Sequence, residues 1–224
     1  AQLLRRDPGQ VGQIPYGEGE TETEGLDLET KEFSLQEAIR TKQFWMLWAM
    51  FLCFGFCIQT IMVHIVTHAT ELRISATIAA YILAIIGGLS IGGRVIMGSA
   101  GDKMGNKPAL IIGFILMSSA LIWLAVAGEI WMLYPFAVVF GFAYGALVAL
   151  EAPIVAELFG LSSHGVILGN VSFGLTIGGA IGPVLAGKIF DITSSYQLAF
   201  FICIIVSIAG LIVTLLLTPT TNKG

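Results

Sequence analysis

Six long runs of apolar residues, joined by short polar segments, limit most strongly what this chain can fold into. Crossing the hydrocarbon core of a bilayer, about 30 Å thick, takes about 20 apolar residues in a helix that rises about 1.5 Å per residue. The runs meet that length at residues 44–67, 76–98, 109–127, 131–150, 166–186 and 197–217. We therefore predict an all-α membrane protein, a six-transmembrane-helix bundle that occupies residues 43–218.

The composition supports a location in a bilayer and excludes several other classes of protein. Hydrophobic residues make up 56% of the chain and charged residues 12%, whereas soluble domains are about 25% charged. No basic surface suggests nucleic acid as a partner. The cysteines Cys53, Cys57 and Cys203 lie inside apolar runs without the spacing of metal ligands or of a disulfide framework. We predict no metal site and no cofactor.

Residues 1–42 differ in composition from the rest of the chain. Nine of the fifteen acidic residues lie before residue 40, and residues 7–32 have too little apolar surface to order themselves. We interpret 1–42 as an acidic cytoplasmic linker, with binding of a partner as the alternative, and predict a short interfacial helix near 33–43. The segment has no signal-peptide core and opens on Ala1, so we expect an upstream part to be missing.

The distribution of lysine and arginine predicts the orientation in the membrane. If the N-terminal segment lies in the cytoplasm, two of the lysines and arginines in the loops and at the chain ends lie outside, namely Arg73 and Lys188. The cations then inside are Arg5, Arg6, Lys31, Arg40, Lys42, Lys103, Lys107 and Lys223. Such an excess on the cytoplasmic side is the usual pattern. Both ends of the segment, including a short tail at 219–224, are then cytoplasmic, and we expect a prokaryotic inner membrane.

A glycine-punctuated segment, GSAGDKMGNKPAL, lies between the second and third runs at residues 98–110. It resembles the signature loop of the major facilitator superfamily of transporters, from which Ala100 and Asn106 depart conservatively. The positions in register to which we assign a gating role are Gly98, Asp102, Lys103, Gly105 and Lys107. The resemblance implies one half of a twelve-helix fold, namely helices seven to twelve. It also implies that Asp102 contacts an N-terminal half that this chain lacks.

Arg94 is the strongest candidate for a substrate-binding residue. It precedes Asp102 by eight residues, which is about 12 Å along a helix and places it within the membrane. Charges there are costly and almost always face a cavity or a partner. Gly87 and Ser90 share its predicted face and leave room for an anion, and a guanidinium suits a carboxylate. The alternative is an arginine that snorkels to the interface or forms a structural ion pair.

A narrower resemblance runs over nearly the entire chain and includes QEAIRTKQFW, VHIVTHATELRIS, AELFG and GPVLAGKIFD. These segments resemble the branch of monocarboxylate transporters and oxalate/formate antiporters, in which a helix-eight arginine contacts the substrate carboxylate. Arg94 occupies that position. Ser90 stands where animal monocarboxylate transporters carry an aspartate for proton coupling, and residues 166–186 lack the extra lysine of oxalate exchangers. One cation suits a monoanion better than a dianion, and a coupling proton or counter-anion stays unassigned.

Four further residues are candidates for the wall of a substrate cavity. His64 lies on a polar stripe of the first span, and a histidine titrates near neutral pH and could carry a proton. Its alternative role is that of a hydrogen-bonded residue near the outer interface. The remaining candidates are Tyr144, Asn170 and Gln59, of which Gln59 points away from His64.

The fifth run carries small residues on one helix face. Gly174, Gly178 and Gly182 recur every fourth residue, a spacing that lets membrane helices pack closely. Pro183 removes a backbone donor and can kink the helix, and Gly187 follows one turn later. The pattern resembles the glycine–proline helix eleven of the same superfamily. We predict a packing and hinge element here rather than a binding site.

The predicted function is secondary active transport of a small organic anion, with a monocarboxylate as first candidate, by alternating access. Symport and antiport stay open, and the expected partners are the anion, a coupling ion, the lipid bilayer and the missing half. The alternatives are a carrier of a neutral solute or drug, and a channel or non-transporting membrane sensor. No enzyme is predicted. Gly88–Gly92 matches G-x-S-x-G, but that motif requires a strand, a turn and a helix, and here it lies within a span.

Overall fold

The computed structural model describes residues 32–72 and 74–218, and the regular structure of these residues is α-helical throughout. The all-α fold class is thereby confirmed, and six of the described helices are long and apolar enough to cross a membrane. The helices are α1 (Leu35–Ile39), α2 (Lys42–Glu71), α3 (Ala76–Met104), α4 (Asn106–Val126), α5 (Ile130–Phe159), α6 (His164–Thr193) and α7 (Gln197–Leu216). The predicted linker up to residue 31, Arg73 and the tail at 219–224 lie outside the described residues.

Hydroxyl side chains start the first three helices. The Ser34 hydroxyl accepts from the Glu37 backbone N–H, and the Glu37 carboxylate accepts in return from the Ser34 backbone N–H at 2.8 Å, which forms a capping box. Thr41 and Ser75 cap α2 and α3 through the N–H groups three residues onward. The helix predicted near 33–43 is therefore divided, because α1 ends at Ile39 and α2 has its own start at Thr41.

Three helices run well beyond their predicted spans, and one of them, α6, continues from residue 186 to Thr193. α3 continues through the glycine-punctuated segment to Met104, so most of the predicted loop is helix, and Gly105 with φ 93° turns the chain into α4. α5 continues past residue 150 to Phe159, which leaves the short connection 160–163 before α6. Hydropathy ends a span at its first charges, whereas a helix continues as long as its backbone hydrogen bonds are made. This continuation brings Glu151 into α5.

The bundle contains two close helix pairs, α2 with α6 and α3 with α5. Glycine allows both approaches: a Cβ on Gly178 would collide with the backbone carbonyl of Leu52, and a Cβ on Gly145 with that of Ser90. α4 and α7 pack around these pairs. Large side chains fill the interior, among them Phe51, Phe54, Phe114, Phe136, Phe140 and Phe200. α5 and α6, which belong to different pairs, meet only loosely.

Candidate functional site

A cavity of about 350 Å³ opens where α5 faces the α2–α6 pair. Five of its lining residues are apolar and five carry polar groups, and small-molecule sites likewise combine apolar surface with placed polar groups. The lining residues are Phe54, Ile58, Gln59 and Met62 of α2, Tyr144, Val148 and Glu151 of α5, and Ser172, Leu175 and Thr176 of α6. Two of the predicted site residues, Gln59 and Tyr144, thus belong to the wall.

Glu151 and Ser172 form the polar centre of this wall. The Ser172 hydroxyl donates to the Glu151 carboxylate at 2.6 Å, so this bond joins α5 to α6 at the wall of the cavity. Glu151 is half-buried and follows Tyr144 by seven residues, which is about two helical turns and the same face of α5. One turn further along α6, the Thr176 hydroxyl donates to the Ser172 carbonyl at 3.0 Å.

Arg94 contacts Tyr144, a residue of the cavity wall. Its guanidinium carbon lies 5.9 Å from the centroid of the Tyr144 ring, within the range of a cation–π contact. The ring of Phe54 lies 6.3 Å from Tyr144 by centroids, so the tyrosine is positioned between α2 and α3. Arg94 itself is exposed on this chain, and its donors are accessible to a ligand.

Ser90 does not share the open face of Arg94, contrary to the expectation from helical spacing. It is 5% exposed, its hydroxyl donates to the Gly87 carbonyl at 2.6 Å, and its backbone packs on Gly145. The close pairing of α3 with α5 turns this position into the helix interface. Gly87 does lie in open space.

His64 and Asn170 lie outside the cavity. His64 Nε2 is 3.0 Å from the Pro183 carbonyl, which can only accept, and Nδ1 is 3.1 Å from the Tyr196 hydroxyl. Burial raises the pKa of the Tyr196 phenol, so this hydroxyl stays protonated and donates to Nδ1 at neutral pH. Both ring nitrogens of His64 are then occupied by the protein. The Asn170 amide donates to the Val166 carbonyl of its own helix at 3.0 Å.

The glycine-punctuated segment forms the end of α3 and the start of α4. Asp102 and Lys103 are exposed on the last turn of α3, Gly98 has open space beside it, and Lys107 lies in the first turn of α4. Asn106, one of the positions that depart from the signature, donates to the Glu157 carboxylate at 2.6 Å. This bond joins the α3–α4 turn to the far end of α5.

The small residues of α6 face α2. Gly174 lies against the Trp48 indole, and Gly182 lies against the Thr60 hydroxyl and the Phe56 carbonyl. Gly187 is next to the His64 ring, and the Pro183 carbonyl is the group bonded to that histidine. Together with Gly178 these positions form the contact surface of the α2–α6 pair, whereas Ser172 and Thr176 lie on the side of α6 that borders the cavity.

Sequence analysis missed Glu151, Ser172 and Thr176 as cavity residues. The fourth span was ended at residue 150, which placed Glu151 in a connecting segment. The signal that could have found it was its spacing from Tyr144, because residues seven apart share a helix face. The two hydroxyls had no comparable signal, since serine and threonine are common in membrane helices.

The sequence of residues 71–224 matches the family description Major Facilitator Superfamily. Human monocarboxylate transporter 12 is 28% identical over 158 residues, which are 69% of this chain and 30% of that protein. Monocarboxylate transporter 13 of Bos taurus is 28% identical over 165 residues, 68% of this chain and 37% of that protein. The agnestins efflux protein AgnL12 of Paecilomyces divaricatus is 24% identical over 126 residues, which are 56% of this chain and 29% of that protein. The chain spans about a third of the length of these relatives.

Proposed function

The chain belongs to the Major Facilitator Superfamily, and on that premise we propose that it is the C-terminal half of a secondary transporter for a small monocarboxylate anion. The observation that carries this proposal is the contact of Arg94 with the ring of Tyr144, a residue that lines a cavity of about 350 Å³. The half-transporter would alternate its access with a partner half around this cavity.

The chemistry of the cavity matches a short organic acid. Arginine presents a planar fork of donors that binds a carboxylate with two parallel hydrogen bonds. The Tyr144 ring restrains that fork from one side, and apolar side chains such as Ile58, Met62 and Val148 accommodate a short hydrocarbon part. One cation at the rim suits one carboxylate, which favours a monoanion over a dianion.

The names of the relatives support an organic substrate and leave two substrate classes to compare. Two of those reported carry the name monocarboxylate transporter, while the fungal relative is named as an efflux protein for agnestins. Efflux of a larger organic compound is therefore the second candidate. In that case Arg94 would be structural and the apolar wall would provide most of the binding.

The proposed orientation puts the Asn106–Glu157 end of the bundle in the cytoplasm and the His64–Tyr196 end outside. It follows from the excess of lysine and arginine at the first of these ends. Asp102 and Lys103 are then exposed on the cytoplasmic side, where a partner half could reach them. Cytoplasmic and external labelling of single cysteines at Lys103 and at Gly128 would test this orientation.

Counterflow in proteoliposomes tests the proposed function. The full-length transporter is reconstituted, and exchange is measured with radiolabelled lactate and pyruvate as monoanions, oxalate as a dianion and glycerol as a neutral solute. We expect saturable counterflow of the monoanions and a loss in Arg94→Gln of about a hundredfold in kcat/KM, because charge-assisted hydrogen bonds contribute about 3 kcal/mol. Arg94→Lys should keep part of the activity.

Arg40→Gln is the matched control, because Arg40 is exposed between α1 and α2, away from the cavity. Its counterflow should equal that of the wild type. Equal transport by Arg94→Gln and the wild type would exclude Arg94 as the carboxylate ligand. If the wild type and Arg94→Gln both gave counterflow of larger uncharged compounds and neither exchanged lactate, pyruvate or oxalate, the second candidate would be established instead.

A further inference from the structure

Glu151 is a carboxylate on the wall of the cavity, and neither the signature segment nor the arginine site accounts for it. It lies on α5 with Tyr144 and Val148, half-buried, and its side chain lines the cavity. Ionisable side chains within membrane spans are costly, and they mark ion pathways and proton relays. A glutamate that served only packing would be replaceable by an apolar residue at lower cost.

The groups around Glu151 come from every helix that borders it. α6 contributes the Ser172 hydroxyl at 2.6 Å and the Thr176 hydroxyl, and α2 contributes the amide of Gln59. α5 itself contributes the Tyr144 phenol, and α3 brings the Arg94 guanidinium to the other side of that ring. α4, which packs against the opposite side of α5, has no charged residue between Leu110 and Val126. Arg94 is thus the cation that α3 brings against Tyr144, a residue of the same cavity wall as this carboxylate.

Ser172 can hold Glu151 in both protonation states. A serine hydroxyl donates to an ionised carboxylate and can rotate to accept from a protonated one. The bond between α5 and α6 therefore survives the gain or loss of a proton. The carboxyl also borders the cavity, so a proton can reach it through water from the side to which the cavity is open.

We propose that Glu151 is the proton-coupling residue of this transporter, and that its carboxyl takes up one proton when a monocarboxylate binds at Arg94. The proton bonds to a carboxylate oxygen of Glu151 on one side of the membrane and is released to water on the other side, together with the anion. This inference rests on the proposed function, since it needs a substrate anion at Arg94.

The charges of Arg94 and Glu151 explain why the proton and the anion would be transported together. Without ligands, the positive Arg94 and the negative Glu151 cancel. With the anion and the proton both bound, the anion cancels Arg94 and Glu151 is neutral. The anion alone would leave one negative charge and the proton alone one positive charge, and an uncompensated charge in the membrane is costly. Only the empty and the doubly loaded carriers are then neutral, which gives symport of one proton with each monoanion.

The test compares Glu151→Gln with the wild type in proteoliposomes of the full-length transporter. The probe is whichever of lactate and pyruvate gives the higher counterflow. An inward-directed proton gradient should drive its accumulation by the wild type, with one proton per anion recorded by a trapped pH-sensitive dye. In Glu151→Gln this accumulation should fall by about a hundredfold, because the empty carrier retains one uncompensated charge. The remaining counterflow of the variant should no longer depend on pH.

Glu157→Gln is the matched control on the same helix, because Glu157 is exposed and bonded to Asn106 outside the cavity. It should keep both the accumulation and the pH dependence. Accumulation by Glu151→Gln at the wild-type level would overturn the coupling role, and so would a folded Glu151→Gln protein that lacks counterflow altogether. Wild-type counterflow without proton-driven accumulation would overturn the coupling role alone. Absence of wild-type counterflow would refute the proposed function and this inference with it.

Discussion

The two sides of α5 are built in opposite ways. Towards α3, Gly141 and Gly145 bring backbone against backbone, with no room for a methyl group. Towards α6, side chains leave a cavity of about 350 Å³, and the Glu151–Ser172 hydrogen bond joins the two helices at its wall. The same helix is therefore half of a close-packed pair on one side and the wall of an open site on the other.

This difference indicates which contacts can change during transport. Interlocked backbones resist small displacements, because a packed interface has no intermediate arrangement of low energy. A cavity whose walls are joined by a hydrogen bond between side chains can be closed, filled or widened at much lower cost. We therefore expect the α3–α5 and α2–α6 pairs to move as units and the ligand to act between them. Three substitutions test this comparison, from the largest expected effect to the smallest.

Gly145→Ala addresses the packed side of α5. The new Cβ would collide with the Ser90 carbonyl, and overpacking of this kind costs about 3 kcal/mol. We expect a marked loss of thermal stability of the purified full-length protein, followed by intrinsic fluorescence in detergent. Gly178→Ala should have a similar effect on the α2–α6 pair, because its Cβ meets the Leu52 carbonyl.

Gly87→Ala is the control for both, since Gly87 is a helical glycine of α3 with nothing close to its Cβ position. Its stability should change by less than about 0.5 kcal/mol. Equal stability of the three variants would mean that the pairs are not held by their glycines.

Tyr144→Ala addresses the rim of the cavity. Removing the ring takes away the surface on which Arg94 lies, and cation–π contacts in partly desolvated sites contribute about 1–2 kcal/mol. We expect KM for the monocarboxylate to rise about tenfold with little change in thermal stability. Tyr144→Phe should have the KM of the wild type. If its KM rose as much as that of Tyr144→Ala, the Tyr144 hydroxyl rather than its ring would be the group that supports binding. Tyr81→Ala, at an exposed position of α3, is the control.

Ser172→Ala addresses the open side of α5. It removes the hydrogen bond to Glu151, and we expect a loss of about 1 kcal/mol in stability, because water in the cavity can replace the hydroxyl. Ser119→Ala, whose hydroxyl bonds to its own helix at Ile115, should have almost no effect. If Ser172→Ala were as destabilising as Gly145→Ala, the two sides of α5 would not differ as described.

The helical fold could be read from the sequence with little ambiguity, whereas the ends of the helices could not. Each of the six runs forms a helix that is long and apolar enough to cross a bilayer, and Ser75 caps the start of α3. The helix α5 continues past the predicted span through Glu151 and Pro153, which are residue types typical of a connection. In the fold, the carboxylate has a serine partner on α6, and the proline is accommodated within a continuous helix.

The candidate site was predictable only in part, for a related reason. Arg94 and Tyr144 were selected from charge, depth and residue type, and the structure brings them together. Ser90 was assigned to the face of Arg94 from helical spacing, yet it lies in the α3–α5 interface. Spacing shows which residues share a face of one helix, but it does not show which neighbouring helix that face meets.

The sequence by itself determined that the chain crosses a membrane as six helices, where several of them begin, and that a lone arginine lies within the second span. The tertiary structure decided that Glu151 faces a cavity, that Ser90 is buried and that His64 is bonded to Pro183 and Tyr196. The physical reason is that lipid is as apolar as a protein interior, so hydrophobicity does not choose between the faces of a membrane helix. That choice depends on how glycine surfaces of different helices fit together, which is a property of pairs of segments.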